Sequence, residues 1–176
     1  IVVTAQKREE RLLEVPISIS VISGDAMVQN GINSTVNLSQ VAPGIVTVNN
    51  GFGFLPVVRG IQSTGTSPGD ETNVAIYLDD VSIGTPIAGF FDLADIERVE
   101  VLKGPQGTLY GRNATGGLVH VINRQPTRTF EAYAEAEGGE RNLIEARGAV
   151  SGPLSKDVQA RLSVATKHND GYIRNT

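Results

Sequence analysis

Residues 99–123, VEVLKGPQGTLYGRNATGGLVHVIN, place a glycine-rich loop between two stretches of strand-forming residues. Glycines stand at positions 104, 107, 111, 116 and 117. A loop of this kind beside a strand can bind a phosphate group through its backbone N–H groups. The stretch therefore raises the question of whether the chain is a nucleotide-using enzyme or whether the glycines serve a tight connection between two strands.

The loop lacks the residues that a nucleotide site requires. In the Walker A pattern, G-x-x-x-x-G-K-[ST], the lysine reaches the phosphates and the hydroxyl reaches magnesium. Here Lys103 precedes the loop, and no Gly-Lys-Ser/Thr occurs anywhere in the chain. The spacing of the glycines also differs from G-x-G-x-x-G, and the loop leads into a strand rather than a helix. We therefore interpret the glycines as turn residues.

The composition excludes other kinds of chemistry. The 176-residue chain has a net charge of −4, no cysteine and two distant histidines, His120 and His168. The sequence contains no block of basic residues of the kind that predicts a nucleic-acid surface. Asp79 and Asp80 follow a predicted strand, where neighbouring side chains point to opposite faces, so we interpret them as a strand-to-turn cap. No Gly-x-Ser-x-Gly elbow is present. We predict no enzymatic activity, no cofactor and no metal site.

The first 126 residues have the pattern of a small α/β domain. Alternation over 17–22 predicts a strand, and Ser23 offers an N-cap for a short helix that ends near Asn30-Gly31. A second short helix is predicted over 34–41. Further strands are predicted at about 45–48, 56–61, 74–78, 98–103 and 118–122. Turn-rich segments separate them.

A strictly alternating pattern follows this domain. Apolar and polar residues alternate over 130–137, 144–151 and 158–165, with turns predicted at Gly138-Gly139 and Gly152-Pro153. This meander has two interpretations, a soluble sheet with one wet face or part of a membrane-barrel wall. The apolar side is rich in alanine and glycine, which makes a poor soluble core, and three strands cannot close. We therefore expect the remainder of a barrel to lie outside this sequence.

The first five residues, Ile1 to Ala5, are β-prone, and a charged stretch, Lys7 to Arg11, follows them. The sequence shows no obvious partner for so short a strand. Two interpretations stay open, a frayed terminus or an extended peptide that pairs with the sheet of another protein. Since residue 1 is isoleucine and no signal peptide is evident, we expect a processed chain or a fragment.

Several segments together resemble one family in the expected order. The most specific is IERVEVLKGPQGTLYGRNATGG at 96–117, and VPIS at 15–18, APGI at 42–45, VRG at 58–60 and YLDDV at 77–81 support it. With them the chain resembles the N-terminal part of a TonB-dependent outer-membrane receptor. Two positions depart from the family pattern. His120 stands where a small or amide residue is more usual, and Lys103 replaces an arginine, which loses the bidentate fork.

The resemblance implies an α+β plug domain with a small mixed sheet, followed by the first antiparallel strands of a transmembrane β-barrel of about 22 strands. It divides the chain into a TonB box at 1–5, a plug at 6–126 and incomplete barrel strands at 127–176. The implied function is import of a scarce solute, by default a ferric siderophore, into the periplasm of a Gram-negative cell. The implied partners are TonB with its inner-membrane energising complex, the solute and outer-membrane lipid. A truncated or soluble plug-like binding or signalling module is the alternative.

The resemblance also assigns roles to residues. The box that TonB binds corresponds to Ile1, Val2, Val3, Thr4 and Ala5. Four basic residues are predicted to contact the barrel wall: Arg59, Arg98, Lys103 and Arg112. Three upward-facing loops, at 49–55, 62–70 and 84–91, are predicted to meet the solute. Their named residues are Asn49, Asn50, Phe52, Phe54, Gln62, Ser63, Phe90 and Phe91.

Overall fold

A computed structural model describes residues 2–4, 7–8, 10–49, 54–63, 70, 72–84 and 93–170. The chain divides into two compact units, 1–123 and 124–176, which are described separately here. Within the described ranges, no helix combines the length and the hydropathy needed to cross a membrane.

Short strands dominate the first unit. They are β1 (Val2–Val3), β2 (Glu10–Arg11), β3 (Ile19–Ser23), β4 (Ile45–Asn49), β5 (Phe54–Val58), β6 (Val74–Leu78), β7 (Val81–Ile83), β8 (Ile96–Lys103) and β9 (Gly117–Asn123). The α-helices are α1 (Gly24–Gln29) and α2 (Gly107–Tyr110), and 3-10 helices span Leu12–Glu14 and Thr35–Gln40. The Ser23 hydroxyl accepts the Ala26 N–H at the start of α1, which confirms the predicted N-cap.

The main sheet has the strand order β3-β8-β9-β6-β7. β9 pairs antiparallel with β8 and parallel with β6, so the sheet is mixed, as predicted. Both faces of β8 and β9 are covered, so most of their residues are buried and apolar, with Glu100 and His120 as buried polar exceptions. One face, which includes Val99 and Val121, packs on α1 and the 3-10 helix at Thr35–Gln40. The other face, which includes Leu102 and Leu118, packs on Val3 and Tyr110.

Four local predictions differ from the structure. The segment predicted as a helix over 34–41 is a 3-10 helix. The strand predicted over 56–61 ends at Val58, because Arg59 and Gly60 both have positive φ. The sequence reasoning missed β7 and also missed α2, which is a single turn inside the glycine-rich loop. Elements of three or four residues are too short for periodicity to reveal.

Asp79 lies in the turn between β6 and β7, and its carboxylate binds β9 rather than capping the turn itself. Its carboxylate accepts the Asn123 backbone N–H at 3.0 Å and the Asn123 side-chain amide at 2.9 Å, so the turn is tied to β9. Its φ of +50° is a conformation that aspartate tolerates better than most residues.

We expect Asp79→Ala to lower the free energy of unfolding by about 2 kcal/mol, because it loses two hydrogen bonds and strains a left-handed residue. The neighbouring Asp80→Ala is the matched control, since Asp80 is exposed, and should change stability by less than about 0.5 kcal/mol. Urea denaturation of both variants measures the difference. Equal midpoints for the two variants would show that these hydrogen bonds are unimportant.

The second unit is the predicted meander. Its strands are β10 (Glu131–Gly139), β11 (Leu143–Pro153) and β12 (Gln159–His168), paired antiparallel in that order. Both predicted turns are wrong. Gly138 and Gly139 belong to β10, and the first turn lies at 140–142, where Arg141 and Asn142 have positive φ. Gly152 and Pro153 belong to β11, and the second connection lies at 154–158.

The two faces of this meander differ in chemistry. The face that carries Ile144, Leu162 and Val164 is exposed and apolar; these side chains are 59%, 65% and 64% accessible. On the other face, Arg147 pairs with Glu135 at 2.7 Å, and Lys167 pairs with Glu145 at 3.2 Å. Exposure of such an apolar sheet face to water is energetically unfavourable.

Candidate functional site

The candidate site is the N-terminal segment, residues Val2 to Thr4, and the side chains that hold it. Val2 pairs with Arg11 and Val3 with Glu10 in an antiparallel bridge between β1 and β2. The strand therefore has a partner within the chain, contrary to the sequence reading. Val3 is fully buried, whereas Val2 is 52% exposed. Ile1 and Ala5 lie outside the described residues.

Thr4 is held by side chains that are distant in sequence. Its N–H donates to Glu100 Oε1 at 3.0 Å, and its hydroxyl accepts from Arg98 Nη2 at 3.2 Å. The Tyr110 hydroxyl donates to the Thr4 carbonyl at 3.4 Å. We call Thr4, Arg98, Glu100 and Tyr110 the clasp. The clasp binds the backbone N–H and carbonyl of Thr4 as well as its hydroxyl. A different residue at position 4 would therefore keep the two backbone hydrogen bonds.

The clasp is centred on a buried carboxylate. Glu100 is completely buried, and its Oε1 also accepts from Arg98 Nε at 2.7 Å. Arg98 has a second ion pair with Glu97. A buried charge that loses its partner is costly, so the ion pair holds both side chains in place. The sequence reasoning overlooked Glu100, although a charged residue on the same strand face as Leu102 was a visible signal of a specific buried contact.

Tyr110 closes the clasp from α2. Burial, followed by the negative charges of Glu100 and Asp80 and by Tyr77, raises the pKa of Tyr110 to about 12. The Tyr77 hydroxyl donates to the Tyr110 carbonyl at 2.7 Å, and the two rings meet edge to face at 5.2 Å. The Lys7 ammonium lies 5.4 Å from the centre of the Tyr110 ring, within the range of a cation–π contact.

We expect Tyr110→Phe to change how stability depends on alkaline pH. The pKa of about 12 lies above the ordinary 10.0, so the folded state retains the phenolic proton more strongly than the unfolded state. This contribution is complete below pH 10 and is lost as the pH rises toward 12. Urea unfolding at pH 9, 10 and 11.5 should therefore show a shallower decline for the variant than for the unaltered chain. Parallel declines would contradict this view of Tyr110.

Arg59 and Lys103, two of the residues predicted to contact the barrel wall, lie near the same two glycines, Gly44 and Gly104. The Lys103 side chain runs along Gly44, and Arg59 Nη1 approaches Gly104, the residue after Lys103. The Arg59 N–H also donates to the Gly44 carbonyl at 3.1 Å. Arg98 lies elsewhere, in the clasp, where only 12% of its side chain is exposed. Arg112 is exposed in the turn after α2. Their contacts with a barrel wall stay predictions.

Four of the eight predicted solute-facing residues lie outside the described residues. These are Asn50, Phe52, Phe90 and Phe91, and nothing is described of the side chains of Asn49 and Phe54. The two that are described bind Asn73. The Ser63 hydroxyl accepts the Asn73 N–H at 2.8 Å and is buried, and the Gln62 carbonyl accepts the Asn73 side-chain amide at 2.9 Å. In this structure Ser63 therefore anchors its loop.

The fold and the glycine-rich loop define a class of protein. A family model described as the TonB-dependent receptor plug domain matches residues 11–118. The chain therefore belongs to the TonB-dependent receptor plug family. Members of this family are outer-membrane transport receptors rather than enzymes, which confirms the predicted location and the prediction of no enzymatic activity.

Particular relatives refine this picture. The pesticin receptor of Yersinia pestis is 33% identical over 162 residues, which cover 88% of this chain and 23% of the relative. The vitamin B12 transporter BtuB of Photobacterium profundum is 27% identical, with 97% and 28% covered. The crystal structure of the ferric yersiniabactin uptake receptor FyuA of Y. pestis superposes with a TM-score of 0.75 at 28% identity, covering 85% of this chain and 24% of that one. The chain thus spans about a quarter of the length of these relatives.

Proposed function

We propose that the chain is the plug and the first wall strands of a receptor that imports a ferric siderophore with energy delivered by TonB. The observation that carries this proposal is the presence, in one chain, of a plug fold and a meander with an exposed apolar face. A plug alone would also suit a soluble binding module, but the apolar face needs lipid or further apolar surface to cover it.

The N-terminal segment is the part that TonB would bind. TonB adds its strand to an exposed edge through backbone hydrogen bonds, and the β-branched Val2, Val3 and Thr4 suit that conformation. Among the described residues, the strand partner of β1 is the two-residue β2. So short a ladder contributes few hydrogen bonds, so a longer partner strand would replace β2 at small cost.

The basic side chains of Arg59 and Lys103 would contact acidic residues of the wall. The Lys103 side chain lies beside Gly44, and the Arg59 side chain lies beside Gly104. Wall carboxylates opposite these two side chains would offset the electrostatic repulsion between their positive charges. Polar contacts of this kind hold a plug in place yet yield to force, because water replaces each broken ion pair. A proton-motive pull on the N-terminal segment would then rearrange the plug and open a path for the solute.

A siderophore is the solute class that the identities favour. FyuA, which superposes on this chain with a TM-score of 0.75 at 28% identity, is described as a ferric yersiniabactin uptake receptor. The relation to BtuB makes vitamin B12 the second candidate. These two candidate solutes are chemically distinct, so a growth experiment can distinguish them.

Growth of a deletion strain tests both parts of the proposal. The complete receptor gene should restore growth on a ferric siderophore under iron limitation, and only when TonB is present. Growth on vitamin B12 without growth on any siderophore would replace the solute class and keep the transport function. Restored growth in the absence of TonB, or no growth on either class with the receptor in the membrane, would count against the transport proposal.

A further inference from the structure

Both backbone groups of Thr4 are already engaged in the folded chain. Its N–H donates to Glu100 Oε1 at 3.0 Å, and its carbonyl accepts the Lys7 N–H at 2.8 Å and the Tyr110 hydroxyl at 3.4 Å. A strand residue that hydrogen-bonds to an antiparallel neighbour uses its N–H and its carbonyl together. A partner strand therefore cannot pair with Thr4 through hydrogen bonds while these contacts are in place.

Few contacts hold the rest of the N-terminal segment. Val3 is fully buried in a cluster with Leu102, Leu118 and Tyr110, whereas Val2 is 52% exposed. Among the described residues, the hold thus consists of one buried valine, the two-residue ladder with β2 and the clasp. Because the contacts are few, the loss of any one of them should change the docked fraction measurably.

Three buried polar atoms around the segment oppose docking. Glu10 Oε2, Glu100 Oε2 and His120 Nδ1 have no hydrogen-bond partner among the described residues. Glu10 stands opposite Val3, Glu100 binds Thr4, and His120 stands opposite Glu100 on β9. Departure of the segment would open the two carboxylates to water, which removes the cost of burying an unpartnered acceptor. The docked state therefore depends on the clasp to offset this cost.

We propose that the clasp is an autoinhibitory binding site for the N-terminal segment. Glu100 and Tyr110 bind the same backbone groups of Thr4 that a partner strand needs, so docking and strand addition at Thr4 exclude each other. Arg98 orients the carboxylate, since its Nε donates to Glu100 Oε1 at 2.7 Å. The clasp sets the fraction of chains whose segment a partner can capture. The inference rests on the proposed function for the identity of that partner, TonB, but not for docking itself.

Hydrogen exchange of the complete, detergent-solubilised receptor measures docking without any partner, because the Thr4 amide exchanges when its bond to Glu100 opens. Tyr110→Phe removes the hydroxyl that binds the Thr4 carbonyl and keeps the ring that packs near Val3. We expect exchange of the peptide that contains Thr4 to become about fivefold faster, the change that corresponds to one hydrogen bond. Tyr133→Phe, in β10, is the matched control and should leave this exchange unchanged. Unchanged exchange within β9 in both variants excludes a general loss of stability.

Binding of the TonB C-terminal domain tests the autoinhibition. Tyr110→Phe should bind this domain about fivefold more tightly than the unaltered receptor, because a larger fraction of its segments is undocked. Thr4→Val provides an independent variant, since it loses the hydroxyl contact with Arg98 and keeps the backbone N–H and carbonyl. It should tighten binding in the receptor, whereas synthetic peptides of residues 1–8 with Thr or Val at position 4 should bind equally.

The outcomes separate the clasp from the proposed function. Unchanged exchange in folded Tyr110→Phe overturns the proposal. So does faster exchange without tighter binding of a TonB domain that binds the unaltered receptor. A TonB domain that binds neither the receptor nor the peptides contradicts the proposed function instead, and the exchange rates then decide by themselves whether the clasp holds the segment.

Discussion

Val2→Pro is expected to abolish transport while leaving solute binding at the cell surface unchanged. Proline removes the backbone N–H that an added strand would use. It also restricts the backbone conformation of the preceding residue. Val2 is 52% exposed, so this change spares the core that Val3 helps to form. The lost hydrogen bond costs about 1–3 kcal/mol, which corresponds to about 5- to 150-fold weaker binding of the TonB C-terminal domain.

Val2→Ile is the matched control, since it keeps the β-branched side chain and the N–H. Pull-down with the TonB C-terminal domain, solute binding to whole cells and uptake should be compared for both variants. Uptake by Val2→Pro at the wild-type rate would show that TonB grips another part of the chain. Loss of solute binding as well as uptake would point instead to a damaged plug.

Gly117→Ala is expected to destabilise the plug by about 2–4 kcal/mol. A Cβ at this position would lie 2.6 Å from the Leu102 carbonyl oxygen and 3.2 Å from Val58 Cγ1. The first contact is with the backbone of the paired strand β8, so relief requires that the two central strands separate. Thermal and urea unfolding should both show the loss, with an unchanged urea m-value.

Two glycines of the same loop provide graded controls. A Cβ at Gly107 would meet nothing within 4 Å, so Gly107→Ala should alter stability by less than about 0.5 kcal/mol. A Cβ at Gly116 would lie 2.6 Å from Ile61 Cγ2 and 2.9 Å from Ile61 Cβ, so Ile61 must shift, but Ile61 is 43% exposed and lies outside the central sheet. We expect Gly116→Ala to fall between the other two. Equal effects at all three positions would contradict the role assigned to close strand approach.

Much of the fold was predictable because the patterns that define it are local. Alternation identified β3 and the meander, runs of strand-forming residues identified β6, β8 and β9, and Ser23 identified the start of α1. The missed elements, α2 and β7, are single turns or three-residue strands, which form because neighbouring strands support them rather than because of their own propensity. The turn at 140–142 was missed because two glycines next to it are the stronger turn signal.

The site was less predictable than the fold. The sequence indicated Val2, Val3 and Thr4 as an extended segment, but it gave no sign that Glu10 and Arg11 pair with them. Nor did it indicate that Thr4 meets Glu100, 96 residues away. A two-residue strand carries no periodic signal, so its partner is selected by the shape of the surface on which it lies.

The amino-acid sequence alone therefore determined the family, the succession of the main strands along the chain and the role of the glycine-rich loop as a connection between two strands. Each of these depends on residue types at short spacing. Only the tertiary structure decided that the N-terminal segment is docked and that Glu100 and His120 are buried on the same face of the sheet. Burial and hydrogen bonding between distant residues follow from how strands are brought together. They cannot be read from the residues one at a time, because the same glutamate or histidine on an exposed strand face would simply be hydrated.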